Sequence, residues 1–376
     1  MTSYAHVTGW GMAVPDRVMT NHDIAQIVDT SHDWIVSRTG IHERRIADEK
    51  ETTATLATRA AFRALDRTEL SPSDLDLIIV ATATPEHLFP ATACLVQDNL
   101  GALNAGAFDL SAACSGFIFG MAMASQSIKA GGIQNALVIG AETLSRFINW
   151  DDRGTCILFG DGAGAFVLQA SDEPGGYLAS VMRSDGSGGS LLSIPAGGSN
   201  KPASAETIHN KEHTIHMNGR EVFRFATRVM ANATREVSEM AGLKVEDLER
   251  IVPHQANQRI IQAAARGLDL PMDRFIMNLD RYGNTSSASI PIAACEAIDD
   301  GRIKPGDNIV LVGFGAGLTW GALALKWVAQ ERKISTTKRQ RRRVRAGWAK
   351  VRSIFRRIWR WIEGLVFGAV LEDDED

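Results

Sequence analysis

The stretch FDLSAACSGFIFGMAMASQSIKAG, residues 108–131, places Cys114 between the end of an apolar strand and a helix rich in small residues. At the N-terminus of a helix, the dipole and the free N–H groups favour the thiolate form of a cysteine. Small neighbours let the backbone approach closely, which suits a nucleophile on a tight turn. A buried structural cysteine is the alternative reading of a lone Cys. The rest of the sequence must decide between the two.

Short apolar runs alternate with helical stretches on both sides of this segment. The predicted strands are 75–84, 135–142, 163–170, 248–254, 308–315 and 322–327. The predicted helices are 53–65, 219–242 and 257–268. Such alternation predicts an α/β architecture in which helices cover mostly parallel sheets.

A weak internal repeat divides the chain into two halves of similar layout. The matched positions are Pro85, Cys114 and Gly140 in the first half and His254, Asn284 and Gly313 in the second. Successive spacings are 29 and 26 residues in the first half, and 30 and 29 in the second. We therefore expect a duplicated fold with a pseudo-twofold axis and a site where the halves meet. Residues 185–218, rich in Gly, Ser and Asn, predict a long surface excursion of the second half.

Two further residues lie at strand–helix junctions of the second half. His254, in VPHQAN (252–257), follows an apolar strand at the end where α/β sheets place ligands. Asn284, in DRYGNTSSASIP (280–291), follows a glycine. Taken singly, these are an ordinary hydrogen-bonded histidine and a turn asparagine. Together with Cys114, they indicate one catalytic site.

These residues and their flanks resemble the β-ketoacyl–acyl carrier protein synthase III family of thiolase-fold condensing enzymes. The motifs that carry the resemblance are DLSAACSGF (109–117), VPHQAN (252–257), RYGNTSSASIP (281–291), GFGAGLTWG (313–321), WIVSRTGI (34–41), DRGT (152–155) and FGDGAG (159–164). The resemblance runs in order through residues 3–328. It implies two similar halves with mixed sheets and buried helices, in five layers α-β-α-β-α. The expected domains are 1–172 with the nucleophilic Cys, 173–330 with His and Asn, and a basic tail, 331–376.

The resemblance implies a cytoplasmic acyltransferase that initiates fatty acid biosynthesis. Cys114 would take an acyl group from acyl-CoA, and malonyl–acyl carrier protein would then lose CO₂ and condense with it. His254 Nε2 and Asn284 Nδ2 would donate to the enolate. The backbone N–H groups of Cys114 and Ala316 would form a second oxyanion hole. No cofactor and no metal are expected, although His209, His213 and His216 have a ligand-like spacing.

Substrate and partner contacts follow from the same resemblance. CoA and pantetheine are expected at Trp34, Arg38, Arg153, Gly219 and Asn257. Phe89 would close the acyl pocket of a partner subunit, which implies a homodimer. Docking of acyl carrier protein is expected at Arg224, Arg259 and Arg266, where a solvated charged face is the plain alternative.

Two other functions remain open. Asn284 argues against the elongating synthases, which resemble a Cys/His/His set, and residues 313–317 lack the second cysteine of thiolases. A related synthase that primes a specialised lipid or polyketide pathway is the alternative enzyme. An inactive synthase-fold scaffold, or a membrane-surface adaptor that acts through the tail, is the alternative of another class.

Charge divides the 376-residue chain sharply. Residues 332–376 hold 13 of the 40 Lys/Arg and 6 of the 44 Asp/Glu, so the tail carries +7 and the remainder −11. Apolar residues of the tail recur at helical spacing, at Val344, Trp348, Val351, Phe355, Ile358, Ile362 and Leu365. Residues 338–366 therefore predict a basic amphipathic helix that contacts the inner membrane surface or a protein partner. Nucleic acid is not expected, because the acidic body would oppose it.

Overall fold

A computed structural model describes residues 4–329 and, in the tail, residues 351, 355, 358–360, 362 and 363. The strands are β1 (Tyr4–Ala13), β2 (Val18–Thr20), β3 (Glu43–Arg45), β4 (Leu77–Ala81), β5 (Gly106–Leu110), β6 (Asn135–Thr143), β7 (Asp161–Ser171), β8 (Gly176–Ser184), β9 (Leu192–Ser193), β10 (His216–Met217), β11 (Arg250–Pro253), β12 (Asn308–Gly315) and β13 (Thr319–Lys326). The helices are α1 (Asn21–Ile24), α2 (His32–Thr39), α3 (Thr53–Leu65), α4 (Thr92–Leu100), α5 (Gly116–Lys129), α6 (Arg153–Cys156), α7 (Ala205–His209), α8 (Gly219–Met240), α9 (Gln258–Leu268), α10 (Leu279–Tyr282) and α11 (Ser289–Asp299).

Two mixed sheets form the frame. The first has the order β1-β7-β6-β4-β5 and the second the order β8-β13-β12-β11. Strands β6, β4 and β5 run parallel, as do β12 and β11, whereas β7 and β13 return antiparallel to their neighbours. The expectation of mostly parallel sheets is wrong, because β13 follows β12 after a connection too short for a crossover. The mixed sheets implied by the family resemblance are confirmed.

Helices occupy three layers around these sheets. Helix α3 packs on the outer face of the first sheet with α4 beside it, and α8 covers the second sheet with α9 beside it. Helices α5 and α11 lie between the two sheets and contact strands of both. Their small and apolar residues are buried on nearly every side, as an interior helix requires. The five-layer arrangement is therefore confirmed.

The two halves can be aligned residue by residue at the turns that begin their buried helices. Helices α5 and α11 are each preceded by a 3₁₀ turn, Ala113–Ser115 and Ser286–Ala288, whose first residue has a positive φ of 44° and 47°. Cys114 and Ser287 are thus the equivalent central residues of the two turns. The pairing of Cys114 with Asn284 predicted from sequence is wrong by three residues, since Asn284 lies in the loop before its turn.

The excursion 185–218 is not merely a surface feature. It contains β9, α7 and β10, and its apolar residues Leu192, Ile194 and Ile215 pack in a cluster with Leu144 and Ile157 of the first half. These few apolar side chains turn inward because they cover a cavity beside Cys114. The domain boundaries 1–172, 173–330 and 331–376 stay a prediction.

Part of the predicted tail helix lies within the described residues. Val351, Phe355, Ile358 and Ile362 are α-helical and between 41% and 65% exposed. Val344, Trp348 and Leu365 lie outside the described residues. Over the part of the chain that the structure describes, no helix is both long and apolar enough to cross a membrane.

Gly140→Ala should destabilise the protein, because a Cβ there would lie 2.2 Å from the carbonyl oxygen of Ser287, a backbone atom. Overpacking of this kind costs about 1–3 kcal/mol of unfolding free energy, measurable by denaturant titration. Gly106→Ala is the matched control, since its Cβ would meet nothing closer than 3.9 Å. Equal stability of the two variants would contradict the close approach of β6 to this turn.

Candidate active site

Cys114 is the central residue of the 3₁₀ turn that leads from β5 into α5. Its residue is only 6% exposed, and it lines two cavities that meet at its position. A Cβ on Gly315 would lie 2.6 Å from the Cys114 nitrogen, so the neighbouring strand must carry glycine there. The tight turn predicted from small residues is present, and it presents the thiol to both cavities.

The charge state of Cys114 differs from the prediction. The pKa of its thiol is raised to about 12, chiefly by burial; a hydrogen bond with the Ser286 side chain lowers it in part, and the nearby Glu142 raises it. The backbone N–H contact at the helix terminus does lower the pKa of Cys114, as expected, but burial has the larger effect in the opposite direction. Desolvation of the anion outweighs the dipole, and Cys114 rests as a thiol.

His254 follows β11 and is 1% exposed. Its Nδ1 lies 2.7 Å from the Ser289 hydroxyl, and its ring lies 5.3 Å from the ring of Phe314. Burial lowers the pKa of His254 to about 3, so the imidazole is neutral at physiological pH. When the Ser289 hydroxyl donates to Nδ1, the imidazole proton lies on Nε2, which is then a hydrogen-bond donor.

Asn284 is fixed through both its backbone and its side chain. Its N–H donates to the Leu158 carbonyl at 2.8 Å, and its carbonyl accepts from the Gly160 N–H at 3.0 Å. Its Oδ1 accepts from the Ser286 N–H at 2.8 Å. This contact fixes the amide orientation and leaves Nδ2 as the donor end. Cys114, His254 and Asn284 line one cavity, which brings together the triad predicted from sequence.

Ala316 lines the second cavity together with Cys114. The Thr319 hydroxyl lies 3.1 Å from the carbonyl oxygens of both Ala112 and Ala316. One side chain thus ties the loop after β12 to the turn of the nucleophile. The assignment of the two N–H groups as an oxyanion hole stays a prediction.

This second cavity has a volume of about 420 Å³. Its apolar lining includes Leu144, Phe159, Leu192, Ile194 and Ile215. The sequence reasoning missed these residues, although isolated apolar pairs within a Gly- and Ser-rich run gave a signal for them. The cavity suits an acyl chain bound to Cys114.

The predicted CoA residues form a continuous group. The guanidinium carbons of Arg38 and Arg153 lie 5.4 and 4.8 Å from the centre of the Trp34 ring. Asn257 caps α9 and donates from Nδ2 to the Arg38 carbonyl at 3.0 Å. Asn257 and Gly219 also line the cavity of the triad. The five residues therefore connect the surface around Trp34 with Cys114.

Phe89 lies outside the cavities of its own chain that contain Cys114. It is 86% exposed and follows the equally exposed Leu88. Its position is compatible with insertion into another subunit. Contact with a partner stays a prediction.

The predicted docking residues Arg224, Arg259 and Arg266 are exposed on α8 and α9. Arg224 lies 3.3 Å from Glu221, and the Arg259 guanidinium lies 5.5 Å from the centre of the Phe223 ring. Arg220 and Arg228, which the sequence reasoning missed, lie one turn before and after Arg224 on the same face of α8. A basic face therefore lies beside the triad cavity.

Two of the three histidines with ligand-like spacing, His213 and His216, have local hydrogen-bond partners. His213 Nε2 lies 2.9 Å from the Thr207 hydroxyl, and His216 Nε2 lies 3.4 Å from the Lys211 carbonyl. Among the described residues, no three His, Cys, Asp or Glu side chains are grouped so that they could hold a metal ion.

Comparison with known proteins gives one consistent result. A family model described as 3-oxoacyl-[acyl-carrier-protein (ACP)] synthase III matches residues 108–186, and its C-terminal counterpart matches residues 239–327. The chain is 55% identical to a β-ketoacyl-[acyl-carrier-protein] synthase III of Caldanaerobacter subterraneus subsp. tengcongensis, over 86% of this chain and 98% of that one. It is 57% identical to the protein of that name from Symbiobacterium thermophilum, over 85% and 97%. The crystal structure of 3-oxoacyl-[acyl-carrier-protein] synthase III from Aquifex aeolicus superimposes with a TM-score of 0.80 at 49% identity, covering 86% of this chain and all of that one.

Alkylation of Cys114 by iodoacetamide should rise about tenfold per pH unit from pH 7 to 9 without a plateau, because the thiolate is the reactive form and its pKa is raised to about 12. Peptide mass spectrometry distinguishes Cys114 from the exposed Cys94, which reports the activity of the reagent. A plateau for Cys114 within this range would show a thiolate at rest and contradict the analysis.

Proposed function

This chain belongs to the β-ketoacyl-[acyl-carrier-protein] synthase III family, acyltransferases that catalyse the initiating condensation of fatty acid biosynthesis, and we propose that Cys114, His254 and Asn284 carry out that reaction. The observation that supports these roles is that the three side chains, drawn from both halves of the fold, line one buried cavity. A thiol, a neutral imidazole and an oriented amide are the groups that thioester exchange and enolate formation require.

The first step transfers an acyl group from acyl-CoA to Cys114. The sulfur attacks the thioester carbonyl, a carbon–sulfur bond to Cys114 forms, and the bond to CoA breaks. Since Cys114 rests as a thiol, its proton must leave during the attack, and it ends on CoA as the free thiol. His254 lies in the same cavity and is neutral, with Nε2–H as a donor, so the thiol proton passes to the departing CoA sulfur and not to the imidazole. The N–H groups of Cys114 and Ala316 stabilise the negative oxygen.

The second step condenses malonyl–acyl carrier protein with the acyl group. Loss of CO₂ leaves an enolate, which His254 Nε2–H and Asn284 Nδ2–H stabilise. The enolate carbon attacks the acyl carbonyl and the new carbon–carbon bond forms. The bond to Cys114 breaks, and the sulfur leaves as a thiolate that takes a proton from solvent. Neither step calls for a metal or an organic cofactor.

Two surfaces support the proposed partners. The basic face of Arg220, Arg224, Arg228 and Arg259 beside the cavity fits an acidic carrier protein, although the body as a whole is acidic. Strand β5 ends the first sheet and carries the partly exposed Phe108, and Phe89, in the loop after β4, is exposed as well. An open strand edge with exposed apolar residues favours pairing with a second copy, and hence a homodimer in which Phe89 reaches the partner's acyl cavity.

The tail supports a second, separate role. Its described apolar residues Val351, Phe355, Ile358 and Ile362 are helical and exposed, and its charge is +7. An amphipathic helix of this composition binds an anionic lipid surface, with its apolar face in the headgroup boundary. We propose that residues 338–366 attach the cytoplasmic enzyme to the inner membrane surface.

Incubation with acyl-CoA should add the mass of one acyl group to the wild-type protein and none to Cys114→Ala. Acetyl-, isobutyryl-, hexanoyl- and octanoyl-CoA would rank the primers, and a preference for an unusual primer would favour a specialised pathway. Asn284→Ala should acquire the acyl group normally but lose condensation by about 10²–10³-fold, the effect of removing one preorganised donor. A wild type that gains no mass from any of the four would contradict the reaction and favour a scaffold.

Full-length protein should float with vesicles of phosphatidylcholine and phosphatidylglycerol but not with phosphatidylcholine alone, because attachment needs negative lipid charge. The double variant Phe355→Ser/Ile358→Ser keeps every charge and should remain at the bottom of the gradient, as should residues 1–330. Full-length protein that stays at the bottom in both lipid mixtures would exclude the membrane role and favour a protein partner for the tail.

A further inference from the structure

Glu142 is a buried carboxyl group to which the reaction above gives no role. It lies near the end of β6 and is fully buried. Its oxygens accept hydrogen bonds from the Thr84 hydroxyl at 2.7 Å, the Ser287 hydroxyl at 2.8 Å and the Ala83 N–H at 3.1 Å. The Thr82 hydroxyl lies at 3.3 Å. One side chain thereby joins the loop after β4, in the first half, to the turn before α11, in the second.

Comparison of the two halves shows which residue lies at the position equivalent to Glu142. Cys114 and Ser287 are equivalent turn residues, and each lies 26 residues before a strand glycine, Gly140 or Gly313. On the same register Glu142 is the equivalent of Gly315. Gly315 packs against the nitrogen of Cys114 and, having no side chain, leaves the cavity of the triad open beside it. Glu142 instead approaches the N–H of Ser287, at 3.4 Å. The second turn is thus closed by a side chain, whereas the first is open to a ligand.

Closure of the second turn bears directly on Asn284. Ser287 is bonded to Glu142, and the adjacent Ser286 donates its N–H to Asn284 Oδ1. Ser286 has a φ of 47°, a conformation that costs a non-glycine residue energy and persists only where neighbours hold it. The Ser287 hydroxyl contacts Glu142 at 2.8 Å and the Ala81 carbonyl at 2.7 Å, and these contacts keep Ser286 in this conformation. The amide orientation of Asn284 therefore depends on a chain that begins at Glu142.

The turn of Cys114 is held by different groups. Thr319 ties Ala112 and Ala316 together, and Gly315 packs against Cys114. A change at Glu142 therefore reaches Asn284 through two adjacent residues. Ser286 also hydrogen-bonds the Cys114 thiol, but Thr319 and Gly315 keep their contacts with the turn of Cys114. The two half-reactions, acyl transfer and decarboxylative condensation, should respond differently.

We propose that Glu142 is a positioning residue for the condensation step: by closing the turn of Ser287, it holds Asn284 Nδ2 where the enolate forms. The proposal rests on the proposed roles of Cys114 and Asn284. Glu142 touches no substrate, and its effect is transmitted through Ser287 and Ser286. Its removal should therefore lower kcat for condensation more than it changes KM for malonyl–acyl carrier protein.

The test is Glu142→Gln, which keeps the side-chain shape but replaces one acceptor oxygen by a donor. Intact-protein mass should show acyl transfer to Cys114 within about threefold of the wild-type rate, because the contacts of Thr319 and Gly315 that hold the turn of Cys114 are unchanged. Release of CO₂ and formation of the 3-oxoacyl product should fall at least about tenfold, the cost of misplacing one preorganised donor.

Asp76→Asn provides a matched control. Asp76 accepts from the N–H groups of Gln134 and Asn135 at the opposite end of β6, so the variant makes the same carboxylate-to-amide change far from Asn284. It should alter both half-reactions equally or neither. Ser287→Ala removes only the hydroxyl bonded to Glu142. Ser287→Ala should also reduce condensation more than acyl transfer, but by a smaller factor. It replaces Glu142→Gln as the test if that variant does not fold.

Unchanged condensation in Glu142→Gln, or an equal loss of both half-reactions as in a generally destabilised protein, would overturn the positioning role. Equal effects of Ser287→Ala on acyl transfer and on condensation would also overturn the positioning role. A wild-type protein that never acquires an acyl group at Cys114 would instead overturn the proposed function, and the two failures are thereby distinguished.

Discussion

The site depends on the close approach of two helix-entry turns to the strands beside them. At Gly140 and Gly315 the neighbouring turn lies so near that a Cβ would come within 2.2 and 2.6 Å of its backbone atoms. This approach lets α5 and α11 begin inside the molecule, between two sheets. A helix that begins in the interior brings its first turn, and the nucleophile on it, into a desolvated cavity. The chemistry of Cys114 then follows from burial as much as from residue type.

Burial has the same consequence for both titratable members of the triad. It raises the pKa of Cys114 and lowers the pKa of His254, so both groups are neutral when the site is at rest. A thiolate–imidazolium pair is therefore not the starting state, and charge develops only as the thioester is attacked. In a cavity of low polarity, fixed donors such as Asn284 Nδ2 stabilise that developing charge strongly.

Much of this could be predicted from the sequence, and the remainder has a physical explanation. Helices α8 and α9 and strands β6 and β12 are long or strongly patterned, so periodicity identified them. Cys114, His254 and Asn284 were found because their flanking motifs are specific. Strand direction was not predictable, since an apolar run is the same in a parallel or an antiparallel strand. The thiol pKa was misjudged because sequence shows the helix terminus but not the depth of burial. The position of Ile194 and Ile215 in the cavity beside Cys114 could not be predicted, because the residues around them in the sequence are polar and indicate a surface loop.

The duplicated halves differ in the one feature that decides where substrate binds. Both halves build a strained 3₁₀ turn ahead of a buried helix, and both place backbone N–H groups beside the end of a central strand. In one half the strand offers Gly315, which lines the cavity of Cys114, His254 and Asn284, of about 90 Å³. In the other half it offers Glu142, whose oxygens take up the donors that a ligand would otherwise meet. The turns thus differ at two matched positions, Cys114 against Ser287 and Gly315 against Glu142, and the first turn faces a cavity whereas a side chain closes the second. The two halves therefore have different roles. The amide of Asn284 can be held rigidly only if the turn beside it does not also have to bind a ligand.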